Sequence, residues 1–182
     1  MGLPEIIVLI GLRGSGKSTV ARELGAMLRR DVVDLDDVTA RELGAESAGD
    51  GLREHGEPAF RAAEARALEA TLARTGIVLA LGGGTPTHAA SAALLRDAQV
   101  AGRAYLIYLQ ASVETLVARL ADTDAAARPS LTGKAMPEEV AELHAVRDPV
   151  YAGMVQSIIA VDGQSLDDTV SAVLNAVPRD SI

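Results

Sequence analysis

The sequence has no cysteine and no tryptophan, and its aromatic side chains are only Phe60, Tyr105, Tyr108 and Tyr151. Without cysteine there is neither a disulfide framework nor a thiolate metal site. With so few rings, the core must be built from aliphatic side chains and alanine. No apolar run approaches the roughly 18 residues needed to span a bilayer, and the N-terminus lacks the basic start and small-residue cleavage site of a signal peptide. A soluble, cytoplasmic protein without a membrane partner is expected. Basic residues are also scarce, 17 against 25 acidic ones for a net charge of -8, and no Lys/Arg-rich run offsets that excess. Such a surface repels a phosphate backbone, so nucleic acid is not an expected partner. The length of 182 residues fits a single domain spanning 1–182.

What is present is one glycine-rich stretch around which the chain is organised: Gly11-Leu12-Arg13-Gly14-Ser15-Gly16-Lys17-Ser18-Thr19. It follows the apolar run Ile6 to Ile10 and leads into a segment with helical spacing, which is the context a P-loop requires. The glycines let the backbone turn its N–H groups inward, where they and the positive end of the next helix hold nucleotide phosphates. Lys17 would reach the outer phosphates and the Ser18 hydroxyl would hold Mg2+.

Apolar runs at Glu5–Ile10, Asp31–Leu35, Ile77–Leu81, Ala104–Leu109 and Ser157–Val161 alternate with helical stretches. That pattern predicts an α/β fold with a five-stranded parallel sheet covered by helices on both faces. A helix over 17–30 should bury Val20, Leu24, Met27 and Leu28, and one starting at Glu57-Pro58 should turn Ala65, Leu68 and Leu72 inward. Glycines at 44, 49, 51 and 56 predict a more irregular, mobile stretch broken into short helical pieces. Residues 122–135 lack periodicity and read as a loop or lid, and a helix opening at Pro137 should stop near Asp148-Pro149.

Several residues could carry chemistry. Asp34 and Asp36 close the second strand, where an extended backbone would point both to the same side, one toward a metal-bound water and the other toward a substrate hydroxyl. The competing reading is a polar turn or a helix N-cap. Arg61 and Glu64, three apart on one helix, are either a solvated pair or an oriented clamp for a carboxylate. Gly82-Gly83-Gly84 at a strand end implies close approach to the backbone, or only a turn. Arg128 in the lid could neutralise charge on a transferred phosphoryl group, and Arg147 could be a second carboxylate ligand, although each is more often a surface arginine. His55, His88 and His144 have no metal-ligand spacing and receive no catalytic role.

In this order the segments resemble the shikimate kinase family: the loop 11–19, Asp34-Leu-Asp36, Gly56-Glu-Pro-Ala-Phe-Arg61 with Glu64, Gly82-Gly-Gly84, Arg128-Pro129 and Arg147-Asp-Pro-Val-Tyr151. The resemblance implies the P-loop kinase fold, with a substrate-binding helical region at about 36–64 and a lid at about 122–136. It further implies a monomer that phosphorylates the 3-hydroxyl of shikimate with ATP and Mg2+. Position by position, Gly14, Ser15, Gly16, Lys17, Ser18, Thr19, Arg119 and Arg128 would hold ATP, and Ser18 and Asp34 the metal. Asp36, Arg61, Gly82, Gly83, Gly84 and Arg147 would hold shikimate, with Glu64 setting Arg61, and Lys17, Asp36 and Arg128 would act in catalysis. Ala48, Gly51 and Leu52 stand where the family has bulkier apolar residues, and Ser130 where it has leucine. A gluconate kinase of the same architecture, and a nucleotide-binding module without activity, are the alternatives.

Overall fold

The computed structural model describes residues 3–121 and 135–178. Among these lie five parallel strands, β1 (Ile6–Ile10), β2 (Asp31–Asp34), β3 (Ile77–Ala80), β4 (Ala104–Gln110) and β5 (Ser157–Ala160), in the spatial order β2-β3-β1-β4-β5. The middle strand, β1, pairs with β3 through Ile6↔Ile77 and with β4 through Ile6↔Ala104, so it is covered on every side. This is why Ile6 to Ile10 form an unbroken apolar run rather than an alternating one. At the sheet edge, β5 alternates half-buried with exposed positions instead.

The helices are α1 (Lys17–Leu28), α2 (Leu35–Leu43), α3 (Ala48–His55), α4 (Glu57–Leu72), α5 (Ala89–Val100), α6 (Val113–Ala121), α7 (Met136–Ala152) and α8 (Leu166–Ala176), with a 3-10 turn at Thr85–Thr87. Right-handed crossovers decide their layers. The step from β1 to β2 runs one way along the sheet and the step from β3 to β4 runs the other, so α1 and α5 cover opposite faces. Packing agrees: α1 meets α8, whereas α4 meets α5.

Three expectations are corrected. The stripe of α1 is Val20, Ala21, Leu24 and Gly25, while Met27 is 61% exposed. On this face the helix comes close to β2: a Cβ on Gly25 would lie 2.2 Å from Val32 Cγ2, and only glycine lets helix and strand approach this closely. On α4 the inner face is Phe60, Ala63, Glu64, Ala67, Leu68, Thr71 and Leu72, so Ala65 is only half-buried. Finally, α7 does not stop at Asp148-Pro149 but carries Pro149 inside it and continues to Ala152. The proline lacks an N–H for Ala145 and strains the turn, yet the fully buried Tyr151 packs edge-on against Tyr108, with ring centroids 5.2 Å apart, and holds the last turn in place.

The stretch between β2 and α4 does form short helical pieces, α2 and α3, and both are capped. Gly44 ends α2 with φ 69°, and Ser47 caps α3 by accepting from the Asp50 amide. Residues 122–134, with Arg128 and most of the expected lid, lie outside the described residues.

Candidate active site

The loop between β1 and α1 begins at the middle of the sheet. Gly14 and Gly16 have φ of 88° and 97°, in the left-handed region that side chains with a Cβ resist, and this curls the backbone ahead of the first turn of α1. The Ser15 hydroxyl is buried and has no hydrogen-bond partner among the described residues. An orphaned donor inside a curled loop at a helix N-terminus suits a phosphate oxygen. Lys17 Nζ donates to Leu12 O at 3.0 Å, which folds its ammonium back over the loop. From α6, Arg119 braces the same loop by donating to the carbonyls of Gly14 (3.4 Å), Ser15 (3.3 Å) and Val161 (3.3 Å). Thr19, in the first turn of α1, is exposed.

Ser18 Oγ donates to Asp34 Oδ2 at 2.6 Å, so the first turn of α1 meets the end of β2. The backbone of Asp34-Leu35-Asp36 is not extended throughout, as the strand reading assumed. Asp34 is the N-cap of α2, its Oδ1 accepting from the Asp36 amide at 3.1 Å, and Asp36 already lies in the helix. Asp34 meets Ser18 and Asp36 Oδ1 faces Gly82, with the two carboxylates close enough for the charge of Asp34 to act on Asp36. Burial raises the Asp36 carboxyl from 3.8 to about 6. The charge of Asp34 adds to that, and Lys17 opposes it. A carboxylate poised near neutrality can accept a proton from a hydroxyl.

The triple glycine follows β3, and each glycine abuts a different charged group. A Cβ on Gly82 would lie 2.3 Å from Asp36 Oδ1, one on Gly83 3.2 Å from Arg147 Nη1, and one on Gly84 2.6 Å from Arg61 Nη2. Residues from α2, α7 and α4 thus converge on three consecutive bare peptides. The same position on Gly83 lies 3.7 Å from Gly11 O and 3.8 Å from Arg13 N, which sets this convergence directly beside the P-loop.

Arg61 is tightly held. Its Nη1 donates to Glu64 Oε2 at 3.0 Å, its Nε lies 3.7 Å from Glu57 Oε1, and its guanidinium carbon lies 5.4 Å from the centre of the Phe60 ring. The Glu64 side chain is only 2% exposed, which excludes the solvated surface pair. Thr85 donates to the other Glu64 oxygen at 2.8 Å. Sequence reasoning passed over Thr85, whose signal was a hydroxyl immediately after the triple glycine. It also gave no role to Tyr151, whose hydroxyl donates to Gly83 O. Tyr151 is four residues after Arg147, which puts the two on one helical face, but a helix ended at Pro149 hides that relation.

A pair of guanidinium groups facing bare peptides, with a carboxylate of raised proton affinity and a phosphate loop alongside, can seat a small hydroxylated acid and transfer a phosphoryl group to it. The family model for shikimate kinase matches residues 13–178. The chain belongs to the shikimate kinase family. A shikimate kinase of Nitratidesulfovibrio vulgaris is 41% identical over 157 residues, covering 86% of either chain. The solved shikimate kinase of Acinetobacter baumannii, in complex with shikimate, matches with a TM-score of 0.84 at 30% identity over 95% of this chain and 92% of that one. A gluconokinase from Sinorhizobium meliloti shares the fold alone, with a TM-score of 0.59 at 20% identity over 97% of this chain and 93% of that one. For a shikimate kinase family member, ATP is the co-substrate.

Proposed function

We propose that this chain transfers the γ-phosphoryl group of ATP to the 3-hydroxyl of shikimate, giving shikimate 3-phosphate and ADP. The observation that carries this reading is the convergence of Asp36, Arg147 and Arg61 on Gly82, Gly83 and Gly84 beside the P-loop. Arg61 and Arg147 grip the acceptor's carboxylate, and forked guanidinium donors suit that planar group better than lysine would. Asp36 binds the ring hydroxyls and takes the proton as the hydroxyl oxygen bonds to the γ-phosphorus and the bond from that phosphorus to the bridging oxygen of ADP breaks. Lys17 and the loop amides of Gly14, Ser15, Gly16, Ser18 and Thr19 hold the phosphates, and Arg119 keeps that loop in shape. Phosphoryl transfer needs little covalent help, so most of the acceleration comes from alignment and charge.

Mg2+ fits the Ser18 hydroxyl and the Asp34 carboxylate, an oxygen pair of the kind that binds this ion together with substrate phosphates, and when bound it would neutralise phosphate charge. Arg128, outside the described residues, belongs to this proposal as the lid residue over ATP. The same reading covers one domain over 1–182, acting as a cytoplasmic monomer without a nucleic-acid or membrane partner. Among the described residues no helix is long and apolar enough to cross a membrane. A coupled ADP-release assay with shikimate, with gluconate and with no acceptor tests the reaction. Acceleration by shikimate alone is expected. Acceleration by gluconate, or none by either acid, would overturn the proposal.

A further inference from the structure

The last turn of α7 is held by side chains as well as by its own backbone. Pro149 has no N–H to return to Ala145, so the turn that carries Arg147 and Tyr151 lacks one helix hydrogen bond. Strand β4 supplies the replacement from outside. Tyr108 Oη and Gln110 Nε2 each donate to Asp148 Oδ1 at 2.8 Å, and the Tyr108 ring meets the Tyr151 ring at 75°. Tyr151 is fully buried, and its hydroxyl donates to Gly83 O. Arg147, one helical turn earlier on the same face, brings Nη1 to 3.2 Å from where a Cβ on Gly83 would stand. The tyrosine hydroxyl and the arginine therefore meet at the same peptide.

We propose that Tyr151 is a positioning residue for the acceptor: its hydroxyl fixes the Arg147 guanidinium and the Gly83 peptide relative to each other, and so sets the width of the carboxylate seat. This rests on the shikimate reading above. Without the hydroxyl, the half-buried Gly83 O loses its donor and Arg147 regains rotamers, while the P-loop on the far side of Gly83 keeps its own contacts. The effect must therefore fall on the acid rather than on ATP.

The test is Tyr151→Phe in the full chain, assayed for ADP release against both substrates, with Tyr105→Phe as a control that removes a tyrosine hydroxyl bonded only to Ser157, away from α7 and Gly83. For Tyr151→Phe the KM for shikimate should rise about tenfold while that for ATP stays within about twofold, in keeping with the loss of one buried hydrogen bond to a charged network. Added to Arg147→Ala, the Tyr151 substitution should raise the shikimate KM little further, because the group it positions is already gone. An unchanged shikimate KM, equal rises for both substrates, the same shift from Tyr105→Phe, or full additivity with Arg147→Ala would overturn the proposal. A wild-type protein that releases no ADP with shikimate would overturn the function itself, and this inference with it. Normal wild-type activity with an unaffected Tyr151→Phe variant would overturn the tyrosine's role alone.

Discussion

Replacing Asp36 with asparagine should make the protein more stable and much less active at once. In the folded chain the Asp36 carboxyl is raised from 3.8 to about 6, first by burial and then by the charge of Asp34. The folded state therefore binds this proton more tightly than the unfolded state. Its contribution to stability is complete below pH 3.8 and is lost as pH rises through about 6. The gap, at about 1.4 kcal/mol for each tenfold change in proton affinity, means that the ionised carboxylate opposes folding by about 3 kcal/mol at pH 7. Asparagine keeps the shape and removes the charge. Thermal unfolding of both proteins without nucleotide and with metal chelated should show no difference near pH 4 and a variant more stable by up to about 3 kcal/mol at pH 7. For a chain of this length that is roughly 6–12 °C. In the ADP-release assay the same variant should lose about a hundredfold or more in kcat, with little change in the KM for ATP. A stability difference that does not depend on pH would refute the burial argument, and an undiminished kcat would refute the role as base.

Three further outcomes follow from the same geometry. Arg61→Lys keeps the charge near Glu64 but loses the fork, and steady-state kinetics should show the shikimate KM rising by at least about tenfold with the ATP KM nearly unchanged. Gly84→Ala introduces a methyl group 2.6 Å from Arg61 Nη2, so the guanidinium must move, and shikimate binding measured by calorimetry should weaken by about tenfold while the melting temperature falls by only a few degrees. Ser18→Ala removes the hydroxyl that reaches Asp34, and titration of activity with Mg2+ should shift to concentrations about tenfold higher without changing the shikimate KM.

The P-loop was legible because everything it needs is contiguous: a buried strand, positive-φ glycines and a helix N-terminus follow one another within the loop's own sequence. The strands were legible for a similar reason, since fully buried parallel strands need continuous apolar runs, and Ile6–Ile10 and Ile77–Ala80 supply them. Where local rules failed, packing had overridden them. Proline ended α7 on paper, but the Tyr108–Tyr151 contact continued it, and apolar spacing turned Met27 inward, whereas the helix packs through Val20, Ala21, Leu24 and Gly25.

By itself, then, the order of residues determined a phosphate-binding loop, a parallel α/β sheet and a resemblance to shikimate kinases. Only the tertiary structure decided that Arg61, Asp36 and Arg147 meet at three adjacent glycines, that Glu64 is buried between Arg61 and Thr85, and that Asp34 reaches Ser18 while Asp36 faces Gly82. The physical reason is that these contacts join α2, α4 and α7 across the carboxyl edge of one sheet. Their separation in space is set by strand order and crossover handedness rather than by any spacing along the chain.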